Sequence, residues 1–167
     1  MTKSKTGVLQ QCRMRMAGAA DAGVLSSLAF RSKASWGYDI DFMKRCREEL
    51  TCSVAQIEAP QFKVHVCDIE DSAVAFYSLE LLDDERAELD ALFVRPEFIG
   101  HGIGKMMVAH MMSEASALGI KVVSIQGDPN AEDFYRAIGA VPNGYRESVS
   151  IPGRYLPVFT LSISQDS

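Results

Sequence analysis

A chain of 167 residues, 47% hydrophobic and 23% charged, holds enough material for one domain with a sizeable core and too little for two. Its formal net charge of −5 argues against a nucleic-acid surface, yet leaves a small anionic ligand open, because backbone amides can hold anions locally. No apolar run reaches a membrane span and the first residues carry no secretory core, so a cytoplasmic protein without membrane partners is expected.

In chain order, Arg13–Met16 reads as a short strand. Asp21 is placed to cap a helix from Ala22 to about Ser32, with Val24, Leu25 and Leu28 at helical spacing. Trp36, Gly37 and Tyr38 interrupt. Asp41 is then expected to cap a second helix, Phe42–Leu50, with Phe42, Cys46 and Leu50 four apart. Next the period changes to two. Phe62–Ile69, Ala73–Leu82 and Ala87–Val94 read as strands, and the short turns between them make the three antiparallel neighbours.

Ile103, Met107, Met111, Ala115 and Leu118 then form a helical stripe that Gly119 stops. Lys121–Gln126 follows as a strand, parallel to Ala87–Val94 if both share a sheet. Asn130–Ala140 predicts another short helix, and the segments 148–152 and 156–163 a closing pair of strands. The fold class is α+β, a mixed and mostly antiparallel sheet in a single domain with a folded core of about residues 10–165.

Between strand and helix lies RPEFIGHGIGKMM, Arg95–Met107, with glycines at 100, 102 and 104. One glycine would only permit a positive φ. Three in alternation point to an anion site at a helix N-terminus, where free amides face outward and side chains are missing. A P-loop does not fit, because Ile99 stands where its first glycine belongs and Met106 follows Lys105. A dinucleotide fingerprint fails at Lys105 and lacks further β–α–β units, although Asp128 stands where a ribose-binding acid could.

A third pattern fits. LFVRPEFIGHGIGKMMV resembles the first motif of the GNAT acetyltransferases, an apolar strand end, V-x-P and a glycine loop opening a helix. DPNAEDFYRAIGA, Asp128–Ala140, resembles their second motif, N-x-x-A-x-x-F-Y-x-x-x-G, in shortened form and at the expected distance. The family usually carries Arg or Gln where this chain has Ile99.

The resemblance implies a GNAT-like sheet whose fourth and fifth strands splay to form a cofactor cleft. It also implies acetyl-CoA as co-substrate, no metal, and direct attack by the amine of a small molecule or peptide in a ternary complex. A non-catalytic acyl-CoA-binding sensor is the alternative. Pyrophosphate would lie on Gly100, His101, Gly102, Ile103, Gly104 and Lys105, and pantetheine beside Leu92, Phe93 and Val94, with the Val94 amide as oxyanion donor. Asn130 and Phe134 would complete the cofactor site.

Tyr135 matches the tyrosine that protonates the departing thiolate, unless it is simply core. Glu88, six residues before Val94 and on its face of an ideal strand, matches the general base. Asp90 shares that parity, and a bulge would change the facing.

Trp36 and Tyr38 are candidates for the acceptor wall, and Arg154 for an acidic acceptor. His65 and His110 lack partners at metal spacing. Met106–Met112 reads as core filler. Cys12, Cys46, Cys52 and Cys67 form no close pair and read as free thiols. A homodimer through the last strands is possible.

Overall fold

The computed structural model describes residues 5–165. Its elements are α1 (Lys5–Gln11), β1 (Arg13–Met16), α2 (Ala22–Ala34), α3 (Ile40–Leu50), α4 (Val54–Glu58), β2 (Phe62–Ile69), β3 (Ser72–Leu81), β4 (Arg86–Val94), α5 (Ile103–Ala117), β5 (Val122–Gln126), α6 (Glu132–Ala137), β6 (Val141–Glu147) and β7 (Tyr155–Ser162). The strands form one sheet in the order β1-β2-β3-β4-β5-β7-β6. Only β4 and β5 pair in parallel, the crossover that α5 makes possible.

Alternation along the strands divides the core between two faces. Tyr77, Leu79 and Val123 pack with Met107 and Met111 of α5, and Val8 of α1 joins them. Val64, Val66 and Phe76 point the other way, onto Leu25 and Leu28 of α2 and Met43 of α3. Both methionines from the sequence stripe are fully buried filler.

Three local expectations are corrected. The cap of α3 is Asp39, whose carboxylate accepts from the Phe42 amide, and Asp41 lies inside the first turn. Asp21 stands at the N-cap position of α2, but its side chain makes no cap bond there. Its carboxylate turns back to the Gly18 amide and to Arg15, which it shares with Asp68. The sixth strand is Val141–Glu147, despite its proline and glycine, and Ser148–Pro152 forms the turn into β7 instead. It is an edge strand, exposed throughout, where proline is tolerated. Helices α1 and α4 were not expected, α4 being a single short turn closed by a Ser53–Gln56 capping box.

Two irregularities place the site. The β3–β4 register passes from Ser78↔Ala91 to Leu79↔Leu89, leaving Asp90 without an opposite residue. Such a bulge bends the strand and reverses its facing. Ala87 and Leu89 therefore share the α5 face with Leu92 and Val94, whereas Ala91 and Phe93 face α2 and α3. In addition, the β4–β5 ladder ends at Leu89↔Ile125 although β4 runs on to Val94, so the two strands part.

Candidate active site

The glycine loop divides its work. Gly100 and Gly102 have φ of +89° and +85°, where a side chain would be strained. Gly102 is the N-cap of α5 and provides no side-chain cap, so the first-turn amides have no side-chain acceptor there. Gly104 is helical and serves another purpose: an added Cβ would meet two ring carbons of Phe134 at 3.3 Å. Beneath the loop, Leu9 of α1 supports Gly102.

The loop opens on a cleft of about 450 Å³. Its wall joins Gly100, Gly102, Ile103, Gly104 and Lys105 to Leu92, Phe93 and Val94, and to Asn130, Phe134 and Tyr135. Arg95 donates its amide to the Val74 carbonyl on β3. Alternation in an antiparallel ladder then turns the Leu92 and Val94 amides to the other edge, into the gap beside β5. The backbone of Phe93 faces β3, so Leu92 and Val94 offer the free edge and Phe93 contributes its ring. His101 does not line the cleft, and its buried Nδ1 has no hydrogen-bond partner among the described residues. Ile99 does line it, 47% exposed, where a longer polar side chain was the family expectation.

Tyr135 is buried against Phe134 and Phe159, with ring centroids at 5.2 and 5.5 Å, and reaches the cleft wall. Burial, with the Asp128 charge second, raises its hydroxyl well above a tyrosine's ordinary value and keeps it protonated. Glu88 is displaced from its expected position by the bulge. It is absent from the cleft wall, and Arg146 of β6 holds its carboxylate at 2.6 Å. Asp90, the bulged residue, does line the cleft. Its carboxyl is raised from 3.8 to about 6, first by the surrounding protein and then by Glu80, Glu88 and Glu49. Water still reaches it through the cleft, since the residue is exposed.

The model of the acetyltransferase (GNAT) family matches residues 30–140, about two thirds of the chain. This chain belongs to the GNAT acetyltransferase family. Among relatives, it is 36% identical over 104 residues to a peptidyl-lysine N-acetyltransferase of Salmonella typhimurium, YjaB, covering 62% of this chain and 65% of that one. It is 28% identical over 116 residues to an uncharacterized N-acetyltransferase, ycf52, of Gracilaria tenuistipitata, covering 59% and 63%. The match thus spans less than two thirds of the length of either relative. The fold is shared with a PaiA N-acetyltransferase from Thermoplasma acidophilum in complex with coenzyme A, at 15% identity and TM-score 0.66, covering 88% of this chain and 97% of that one.

The other half of this GNAT cleft was only partly visible in the sequence. Trp36 is on its wall, with Lys33, Glu49, Thr51, Cys52 and Gln56. Tyr38 is not. It stacks on Phe42 and is the hub of a polar network. Its hydroxyl donates to Asp128 at 2.8 Å and accepts from Asn130 Nδ2 at 3.0 Å and Arg154 Nη2 at 2.8 Å. Lys33 adds an ion pair to Asp128 at 3.3 Å. Burial would raise the Asp128 carboxyl, but the Asn130 amide, Lys33 and Tyr38 outweigh it and hold the group below its ordinary value. Asn130 and Arg154 are thus bound into a clasp joining α2, the α2–α3 loop, the β5–α6 loop and the β6–β7 loop. The D-P-N run could have signalled it, because an aspartate before Pro-Asn favours the Asx turn seen between Asp128 and the Asn130 amide.

His65 and His110 belong to the α5 face, where His110 Nδ1 is hydrogen-bonded to the Tyr77 hydroxyl at 2.8 Å. Among the described residues no group of three or more His, Cys, Asp or Glu could hold a metal, and no helix is long and apolar enough to cross a membrane. All four cysteines are free, and Cys46, Cys52 and Cys67 are buried.

Proposed function

We propose that the protein is an acetyl-CoA-dependent N-acetyltransferase acting on the amine of a small molecule or peptide. One observation carries the reading: a single cleft connects the amide-lined glycine loop and the open Val94 edge to the Asp90 carboxylate and the Tyr135 ring. The residues fit the donor. Amides at the start of α5 suit a pyrophosphate, Gly100 leaves open space beside the loop, and the unpaired edge of Leu92 and Val94 suits the amides of a pantetheine arm.

Acetyl-CoA supplies the thioester carbonyl that the amine attacks. Asp90 accepts the proton, because an amine with a pKa of about 10.4 must lose one to become a nucleophile. A carboxyl raised to about 6 is a better base than an ordinary aspartate and is still ionised at neutral pH. The Val94 amide stabilises the oxyanion of the tetrahedral intermediate. As the C–S bond breaks, Tyr135 hydrogen-bonds the sulfur. Its weakened acidity makes that bond, more than complete proton transfer, its contribution. Asp90 takes the role first considered for Glu88, which acts through the field it adds beside Arg146.

The test is thiol release from acetyl-CoA over a panel of amines, with the product's gain of one acetyl group read by mass spectrometry. Amine-dependent release is expected. Tight acetyl-CoA binding without release to any amine would replace the enzyme with the binding module.

A further inference from the structure

The acceptor half of the cleft has carboxylates without matching cations. Glu49, in the last turn of α3, and Asp90, at the β4 bulge, both line it. Close by, Glu80 stands directly opposite Glu88 in the β3–β4 register. Like charges in that relation destabilise a sheet unless something compensates them. Arg146 on Glu88 is the one lysine or arginine, among the described residues, that pairs with any of these four. Of the other cations at the cleft, Lys33 and Arg154 both bond to the Asp128–Tyr38 hub, at 3.3 and 2.8 Å, and Lys105 stands in the first turn of α5, at the glycine loop.

Geometry keeps the charges facing the acceptor. Ser150, in the β6–β7 turn, donates to Glu49 Oε2 at 2.5 Å and fixes that carboxylate beside the cleft. Asp90 stands at the bulge, outside the β3 register, and lines the cleft. On the same wall Trp36, 47% exposed, offers a ring face to a cation or a methylene chain. These groups line the same cleft as the glycine loop, so whatever they attract shares that cleft with the donor.

We propose that the acceptor is an amine carrying a second positive charge, with Asp90 meeting the reacting amine and Glu49, in the field of Glu80 and Glu88, holding the second cation. The inference rests on the acetyltransferase reading and goes beyond it by naming the acceptor's charge. A polyamine and a lysine within a basic peptide share this chemistry.

The test compares kcat/KM for putrescine and spermidine with that for butylamine, and for a basic lysine tripeptide with that for an acidic one, using the full chain at low and high salt. Dications are expected to exceed matched monocations by about tenfold, the advantage shrinking as salt screens the carboxylates. In Glu49→Gln the ratio of dication to monocation should fall toward one. A ratio near one in the wild type, a preference for the acidic peptide, or a ratio unaltered by both salt and Glu49→Gln overturns the inference. Spermidine ahead of the basic peptide identifies a small polyamine, and the reverse order a peptide. Calorimetric titration of acetyl-CoA into the same sample separates the two levels: absence of binding sinks the acetyltransferase reading, whereas binding with turnover of neutral or acidic acceptors sinks only the charge assignment.

Discussion

Replacing Asp90 with asparagine should make the protein more stable at neutral pH and far slower. The folded state raises this carboxyl from 3.8 to about 6, by burial first and by Glu80, Glu88 and Glu49 after it. Each pH unit corresponds to about 1.4 kcal/mol, so a rise of roughly two sets a ceiling of ~3 kcal/mol. Water in the cleft screens an exposed side chain, which reduces the effect to about 1 kcal/mol. Because the folded protein holds the proton more tightly than the unfolded chain, the favourable contribution is complete below 3.8 and lost as pH rises through about 6.

Asparagine carries no charge and escapes that loss. Wild type and Asp90→Asn should therefore melt together near pH 4, with the variant about 2–4 °C higher at neutral pH. Thermal unfolding followed by circular dichroism across that range gives the answer. A variant less stable at neutral pH, or an advantage that persists at low pH, would refute the argument. Activity should fall by about 10²–10⁴, the range for loss of a general base, and wild-type kcat/KM should rise with pH through about 6.

Tyr135→Phe keeps the ring against Phe159 and should leave acetyl-CoA affinity unchanged in calorimetry while kcat drops about 10- to 100-fold. Tyr38→Phe leaves Asp128, Asn130 and Arg154 short of a partner and should reduce stability by about 1–3 kcal/mol in urea unfolding, with the m-value unaltered. Gly104→Ala gains helix propensity of about 1 kcal/mol but pushes on the Phe134 ring at 3.3 Å. Its stability should move by less than about 1 kcal/mol, while calorimetry shows acetyl-CoA affinity weakened about tenfold.

Much of this was legible in the sequence because it depends on local pattern. Alternation in Phe62–Ile69 and the stripe from Ile103 to Ala115 gave elements whose limits match the structure closely. The glycine loop could be read from spacing alone, although the close contact of Gly104 with Phe134 is made by a residue thirty positions later. What escaped depends on relations between distant segments. A bulge is a property of two strands, so the parity that put Glu88 beside Val94 did not survive, and Asp90 lines the cleft where Glu88 does not. Tyr38 and Asp128 are ninety residues apart, and no periodicity shows that they meet. Val141–Glu147 was hidden by Pro142 and Gly144, since an edge strand needs little burial and admits breakers that a central strand would refuse.

The central claim is that the glycine loop and the open β4 edge form the donor site for acetyl-CoA. Thermal unfolding with acetyl-CoA, CoA, ATP and NAD at one concentration tests it most directly. At about 100 times its Kd a ligand adds about 2.7 kcal/mol, or roughly 5–10 °C for a domain of this size. Stabilisation by both CoA species and by neither nucleotide is the predicted result. A shift with ATP or NAD alone, or with none of the four, would contradict it.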